Sequence, residues 1–210
     1  MNKIILWFVK LTGYIPHLFY FKKKVYYVNK KNQSKRIKGS AIIVSNHRSV
    51  FDFALYMYVF MRRDIYALIG EIMYQKGKLF GWFLNKIGGI KVERQNYDFD
   101  FVNKAIKKLE KGKVLEIYPE SRIPNSIEER MVNFKPSFVY IALESGAPII
   151  PVYTNGEYNT RKRTKVLIGE KIYLRDLYDN TKSEKENIDF LCNYVREYII
   201  NLGVLLNEKK

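Results

Sequence analysis

The chain has 210 residues, of which 47% are hydrophobic and 28% are charged. This composition excludes a disordered chain and suits one domain with a sizeable core. The formal net charge of +16 is concentrated near the N-terminus, because residues 1–51 hold 11 basic side chains and no carboxylate. Such a field favours a polyanionic partner, either nucleic acid or an anionic lipid surface.

The first predicted element, residues 1–24, combines bulky apolar side chains with lysines. Its longest uninterrupted apolar run, residues 4–9, has six residues, whereas about 20 are needed to cross a bilayer. The pattern predicts a helical segment that lies in a membrane interface with its lysines near anionic headgroups. The alternative is a first helix that packs on the protein's own core.

Candidate strands and helices alternate through the rest of the chain, residues 25–210, which we assign to one domain. Strands are predicted at 25–28, 41–45, 65–70, 88–94, 114–119, 148–153 and 165–170. Helices are predicted at 51–61, 71–87 with a break near Gly77, 100–112, 136–145 and from about residue 183. This alternation is typical of an α/β fold with a mostly parallel central sheet flanked by helices, here preceded by the N-terminal interfacial helical segment.

Polar side chains follow four of the predicted strands. They are His47, Arg94, Glu120 with Arg122, and Asn155. Because the carboxyl ends of parallel strands meet at one edge of a sheet, we expect these side chains to share a site. The alternative is that strand ends are polar only because they meet water.

The stretch SNHRSVFDF, residues 45–53, places His47 and Asp52 five positions apart. On one regular helix these side chains would point about 140° apart, so they can meet only if His47 lies in the loop and the helix begins near Ser49. Asp52 then either caps the helix or accepts a hydrogen bond from one imidazole nitrogen, which leaves the other nitrogen as a base.

No motif for a nucleotide or a metal ion is present. The chain lacks a P-loop, a G-x-G-x-x-G run and a C-x-x-C pair, so we expect no cofactor and no metal site. It also lacks a G-x-S-x-G elbow, and its single cysteine, Cys192, lies in a helical pattern that predicts a core position. A covalent intermediate on the protein is therefore not indicated.

Asn46, His47 and Asp52 form the pattern N-H-x4-D, which resembles the signature of the glycerolipid acyltransferases, including bacterial 1-acyl-sn-glycerol-3-phosphate acyltransferases. The stretches similar to the family's other blocks follow in order: GGIKVER with Arg94, YPESRIP with Glu120 and Arg122, and NFKPSFVYIALESGAPIIPVY with Lys135 and Pro151. The likeness covers residues 40–156. Ser121 and Ser137 stand where the family has glycine, and serine would be strained there if either position needs a positive φ.

The resemblance implies an enzyme that moves a fatty acyl group from a thioester to the free hydroxyl of lysophosphatidic acid, giving phosphatidic acid. His47 would be the general base and Asp52 its partner. The acceptor phosphate would be bound by Arg94, Arg122 and Lys135, because guanidinium and ammonium groups bind phosphate. Glu120 would hold an arginine in place or accept a hydrogen bond from the glycerol hydroxyl of the acceptor, because a carboxylate repels phosphate. The donor would be acyl carrier protein or acyl-CoA, and the enzyme would lie on the cytoplasmic face of the cell membrane as a peripheral or monotopic protein.

Three alternatives remain at this point. The acceptor is another lysolipid, the two arginines are solvated surface residues, or the chain is a non-catalytic basic protein that binds nucleic acid. The last is disfavoured because the basic segment is rich in bulky apolar residues and no nucleic-acid-binding motif is present.

Overall fold

The computed structural model describes residues 1–93, 100–126, 129–131 and 134–208. In this part of the chain one seven-stranded sheet lies between layers of helices. The strands are β1 (Lys24–Tyr27), β2 (Ala41–Ser45), β3 (Ile65–Gly70), β4 (Gly89–Val92), β5 (Val114–Ile117), β6 (Ile149–Thr154) and β7 (Lys165–Ile168). The helices are α1 (Lys3–Thr12), α2 (Tyr14–Phe21), α3 (Asp52–Val59), α4 (Glu71–Tyr74), α5 (Lys78–Ile87), α6 (Asp100–Glu110), α7 (Ser137–Ser145) and α8 (Glu184–Glu208), with a 3-10 turn at Leu174–Leu177.

The strand order across the sheet is β1-β7-β6-β2-β5-β3-β4. Five neighbouring pairs are parallel, and β6 with β7 is antiparallel. The central strand β2 is buried along its whole length, which explains its continuous apolar sequence. The predicted α/β fold with a mostly parallel sheet is therefore confirmed.

Most predicted elements occur close to their predicted positions. The structure has β2 and β3 over the same residues as predicted, and the helical stretch after β3 breaks at Gly77, where φ is 145°. Helix α3 begins at Asp52 and not near Ser49. Ser49 instead belongs to a turn, in which the Asp52 N–H donates to its carbonyl oxygen over 3.1 Å.

The N-terminal arm, defined here as α1 and α2, packs on the domain through one face. The arm turns at Gly13, where the Tyr58 hydroxyl comes so close that a Cβ on residue 13 would lie 2.3 Å from it. That hydroxyl donates to the Val9 carbonyl oxygen over 3.1 Å, and the His17 ring stacks on the Tyr58 ring at 3.9 Å. Lys10 anchors α1 by donating from Nζ to the Arg63 carbonyl oxygen over 2.8 Å.

The opposite face of the arm is apolar and exposed. The exposed fractions include 81% for Ile4, 68% for Trp7, 62% for Phe8, 65% for Ile15 and 71% for Phe19. In the described ranges no single helix is long and apolar enough to cross a membrane, although α1 and α2 pass this test as a pair bent by 53°. One face of the arm thus packs on the core of the domain, and the other face is apolar and exposed to solvent.

Candidate active site

His47 and Asp52 meet at the carboxyl edge of the sheet. His47 lies in the loop after β2, and Asp52 is the first residue of α3. The two side chains are joined by a hydrogen bond of 2.8 Å between Nδ1 and Oδ2. Asp52 is fully buried, whereas 19% of the His47 side chain is exposed. An ionised carboxylate only accepts hydrogen bonds, so Nδ1 carries the proton and Nε2 is left with a lone pair.

The Asp52 carboxylate also organises the loop around it. Oδ2 accepts from the backbone N–H groups of Arg48 and Ser49 over 2.7 and 3.0 Å. Oδ1 accepts from the Tyr158 hydroxyl over 2.5 Å. The sequence left helix capping and imidazole orientation as alternatives for Asp52. Asp52 orients the imidazole, whereas α3 has no side-chain cap and the backbone N–H groups bound by Asp52 belong to the loop before the helix.

The His47 ring is held between its carboxylate partner and an aromatic face. The Tyr118 ring stacks on it with a centroid distance of 4.3 Å and an interplanar angle of 15°. The Tyr118 hydroxyl donates to Oε1 of Glu116, which lies fully buried in β5. Burial raises the pKa of the Glu116 carboxyl well above its usual range, because the buried site disfavours the charged form.

Glu120 fixes the backbone of the His47 loop. Its Oε1 accepts from the His47 N–H over 2.8 Å, and its Oε2 accepts from the Met131 N–H over 3.0 Å. Both oxygens thus bind backbone groups. In the part of the chain that is described, Glu120 forms no ion pair with an arginine, and the predicted contact with the acceptor remains a prediction.

The ends of β2 and β6 are joined by a pair of amide hydrogen bonds. The Asn46 side chain donates to the Thr154 carbonyl oxygen and accepts from the Thr154 N–H, both over 2.9 Å. Arg48 donates from Nη2 to the Asn155 carbonyl oxygen over 3.1 Å. Together with the Glu120 contact, these bonds bring the carboxyl ends of β2, β5 and β6 to one place, as the sequence predicted.

The predicted phosphate-binding residues are less completely defined. Arg122 is exposed and pairs with Glu129, with 3.5 Å between Nη2 and Oε2. Lys135 is exposed, and its N–H donates to the Pro119 carbonyl oxygen over 2.8 Å, which places the residue beside the end of β5. Arg94 lies outside the described residues. Among the contacts described, neither Arg122 nor Lys135 forms a hydrogen bond or ion pair with His47 or Asp52.

The two serines that depart from the resemblance occupy different backbone conformations. Ser121 has a φ of 62°, in the left-handed region that favours glycine. Ser137 begins α7 and has no positive φ. Of the two serines, only Ser121 therefore has the expected backbone strain.

Three side chains around the pair were not identified from the sequence. Tyr158 lies 106 positions from the carboxylate it binds, and no local spacing reveals such a contact. Glu116 was predicted only as part of a strand, and Tyr118 as the end of that strand and the start of the stretch YPESRIP, without a contact to His47. The glutamate inside the apolar run VLEIY could have indicated a functional position, because a charged residue in a buried strand is rare.

Metal ligation finds no support in the described residues, which contain no group of three or more histidine, cysteine or carboxylate side chains placed to hold an ion. Cys192 is buried, and burial raises the pKa of its thiol to about 11. This thiol is therefore not activated as a nucleophile.

A family model described as Acyltransferase matches residues 24–155. The 1-acyl-sn-glycerol-3-phosphate acyltransferase of Limnanthes douglasii is 27% identical over 128 residues, which are 60% of this chain and 44% of that protein. The chain therefore matches less than half the length of this curated relative.

A similar solved structure is the crystal structure of the 1-acyl-sn-glycerophosphate (LPA) acyltransferase PlsC from Thermotoga maritima. It superposes with a TM-score of 0.62 at 19% identity, covering 96% of this chain and 79% of that one. At this identity the likeness establishes the fold only. The family model, in contrast, spans more than half of the sequence and includes both His47 and Asp52, and so the chain belongs to the acyltransferase family.

Proposed function

We propose that this protein transfers a fatty acyl group from an acyl thioester to the free hydroxyl of lysophosphatidic acid, giving phosphatidic acid. The observation that carries this proposal is the 2.8 Å bond between His47 Nδ1 and Asp52 Oδ2, in a chain of the acyltransferase family. The names of the curated relative and of the similar solved structure support lysophosphatidic acid as the acceptor.

The chemistry begins with the acceptor hydroxyl, which is a weak nucleophile while it keeps its proton. His47 Nε2 takes this proton as the hydroxyl oxygen attacks the thioester carbonyl carbon. Asp52 stabilises the imidazolium that forms, and it keeps the ring in the tautomer with Nε2 free. The tetrahedral intermediate then collapses, the carbon–sulfur bond breaks, and the imidazolium returns a proton to the departing thiolate.

The acceptor phosphate would be bound by cations next to the end of β5. Arg122 and Lys135 are both exposed there, and Arg94 follows β4 in the sequence. Arg122 would exchange its exposed ion pair with Glu129 for the phosphate. This exchange costs little free energy, because an exposed ion pair contributes only about 0–1 kcal/mol to stability. Glu120 would hold the His47 loop in place while the phosphate binds.

The enzyme would work on the cytoplasmic face of the cell membrane as a peripheral or monotopic protein. The exposed apolar face of the N-terminal arm supports this assignment, since Trp7, Phe8 and Phe19 would enter the headgroup region. Lysines at both ends of the arm would add about 1 kcal/mol each on an anionic surface. The acyl donor would be acyl carrier protein or acyl-CoA, and both carry negative charge that suits a basic protein.

The test uses the purified full chain with radiolabelled acyl-CoA or acyl carrier protein and a set of acceptors: lysophosphatidic acid, lysophosphatidylcholine and monoacylglycerol. We expect labelled phosphatidic acid from the first acceptor. His47→Ala should lower kcat by about 100- to 10,000-fold, the usual range for a general base. His17→Gln, which changes the other histidine of the chain, serves as the matched control. Undiminished transfer by the His47 variant would refute the mechanism.

The acceptor site is tested by Arg122→Ala. This change should raise KM for lysophosphatidic acid and leave KM for monoacylglycerol unchanged, because only the former carries a phosphate. The control is Lys182→Ala. Lys182 is an exposed cation just before α8, and it forms a similar ion pair of 3.5 Å with Asp179. Equal KM values for lysophosphatidic acid in the Arg122 variant and in the wild type would remove Arg122 from the phosphate site.

A further inference from the structure

The Asp52 carboxylate has a partner that comes from far along the chain. Tyr158, in the loop between β6 and β7, donates its hydroxyl to Oδ1, while Oδ2 accepts from His47. We propose that Tyr158 is a positioning residue for the His47–Asp52 pair and that the C-terminal end of α2 holds it in place. This inference rests on the proposed function, because it assigns a role in the same site.

The hydroxyl of Tyr158 is suited to this role because it is a permanent donor. Burial, followed by the neighbouring Asp52 carboxylate, raises the pKa of Tyr158 far above its ordinary value, so the hydroxyl keeps its proton. With Oδ1 bound by this hydroxyl, the carboxylate cannot rotate about its terminal bond without losing a charge-assisted hydrogen bond. Oδ2 therefore stays directed at His47 Nδ1.

The ring of Tyr158 is held by α2. Phe21, the last residue of α2, meets it edge-on with a centroid distance of 5.1 Å and an angle of 86°. Tyr20 lies 6.4 Å from the same ring. Phe21 is buried, with 3% of its surface exposed, so the ring of Tyr158 rests against a fixed surface.

The backbone of the loop is tied to the same end of α2. The Asn159 N–H donates to the Tyr20 carbonyl oxygen over 2.8 Å, and the Thr164 N–H donates to the Phe21 carbonyl oxygen over 3.0 Å. The loop is closed on itself by the Thr164 hydroxyl, which donates to the Glu157 carbonyl oxygen over 2.7 Å. A continuous chain of contacts thus runs from the arm through Tyr158 and Asp52 to His47.

The direct test is Tyr158→Phe, which keeps the ring against Phe21 and removes only the donor. We expect kcat to fall roughly tenfold with KM unchanged, the loss of one hydrogen bond to a charged group. The acid limb of the kcat profile should move to higher pH, because a carboxylate with one donor fewer attracts the imidazolium proton more strongly. The other titratable or charged residues placed against the pair are unchanged in this variant. They are Tyr56, Tyr118 and Glu116 near Asp52, Glu120, which accepts from the His47 N–H, and Arg48, whose N–H donates to Asp52. Tyr20→Phe, in the same aromatic cluster, is the matched control and should leave both readouts unchanged.

A second readout does not need catalysis. The chain has two histidines, His17 and His47, and NMR titration of the full chain follows both imidazoles at once. In Tyr158→Phe the titration midpoint of His47 should rise, while that of His17, which packs on Tyr58, stays in place as an internal reference. If the wild-type protein transfers no acyl group to any acceptor, the proposed function fails, and this titration still decides the inference.

Phe21→Leu is the second variant, and it retains every hydroxyl group. It should shift the titration midpoint of His47 and the acid limb of the kcat profile in the same direction as Tyr158→Phe, but by less. If Tyr158→Phe does not fold, the result with Phe21→Leu tests the inference. A lower melting temperature in both variants, with an unchanged His47 midpoint and pH profile, would show that Tyr158 and Phe21 only stabilise the fold. That result would overturn the inference.

Discussion

At the scale of single residues, the site depends on side chains that perform two tasks at once. Asp52 caps the turn before α3 and orients His47. Tyr118 stacks on the imidazole and binds Glu116. Because each group is already bound on several sides, little rearrangement would be needed in the proposed proton transfer from the acceptor. Such preorganisation is a main source of catalytic rate enhancement.

Ser121 offers a test of backbone strain at this scale. Ser121 has a φ of 62°, and this left-handed conformation costs a non-glycine residue about 1–2 kcal/mol. Glycine would remove this cost but would lose part of the gain, because its unfolded state has more conformational freedom. Ser121→Gly should therefore raise the free energy of unfolding by up to about 1 kcal/mol. Ser137→Gly, at the start of α7, should give no gain. Urea unfolding of both variants measures the difference, and equal effects would contradict the strain argument.

Glu116 predicts a pH-dependent stability. Burial raises its pKa in the folded protein above the unfolded value of 4.5, so the unfolded chain releases a proton that the folded chain keeps. Glu116 therefore destabilises the fold increasingly as pH rises above 4.5. Glu116→Gln should match the wild type in melting temperature near pH 4 and exceed it at pH 7. If the difference in melting temperature between the variant and the wild type does not increase from pH 4 to pH 7, Glu116 does not have the raised pKa in the folded protein.

At the scale of elements, the sequence predicted the strands better than the contacts between loops. β2 and β3 were predicted residue by residue, because buried parallel strands appear as continuous apolar runs bounded by turns. His47 and Asp52 were predicted to meet because they are close in sequence and a loop precedes the helix. Tyr158 was not predicted, because its contact with Asp52 depends on how the β6–β7 loop folds back over α2. The helix predicted at 51–61 begins at Asp52, so the His47–Asp52 pair meets although the helix does not extend back to Ser49, whose turn resembles a helical capping box.

The arm provides a prediction at this scale. Phe8→Ser combined with Phe19→Ser changes side chains that are 62% and 71% exposed, so the fold should be unaffected. Flotation of the protein with anionic vesicles should fall markedly. The matched control is Phe190→Ser combined with Val204→Ser, which alters exposed apolar side chains of α8. If both double variants float as well as the wild type, α1 and α2 are only core-packed helices.

At the scale of the whole molecule, charge and apolar surface coincide at the N-terminus. Residues 1–51 contain no carboxylate, and this range includes the whole arm. An anionic membrane would therefore meet both an attractive field and side chains that can enter it. The fold places the His47 site next to the same segment, through the contact between α2 and the β6–β7 loop.

The charge distribution predicts how binding depends on salt. Vesicles that contain anionic lipid should retain less protein at 0.5 M salt than at 0.05 M, because the screening length falls from more than about 10 Å to a few ångströms. Retention on purely zwitterionic vesicles should be weaker and nearly independent of salt. A gel-shift assay with duplex DNA at matched salt provides the comparison, and tighter binding to DNA than to anionic vesicles would favour the nucleic-acid alternative.

The pairing of β1 has a consequence for synthesis of the chain. Among the strands of the described residues, β1 pairs only with β7, with Lys24 opposite Lys165. Because Lys165 follows Lys24 by 141 positions, β1 stays without this partner strand until β7 has been synthesised. During this interval the arm also lacks the β6–β7 loop that binds its end, so on the proposed membrane role its apolar side chains would be able to meet a bilayer before the domain is complete.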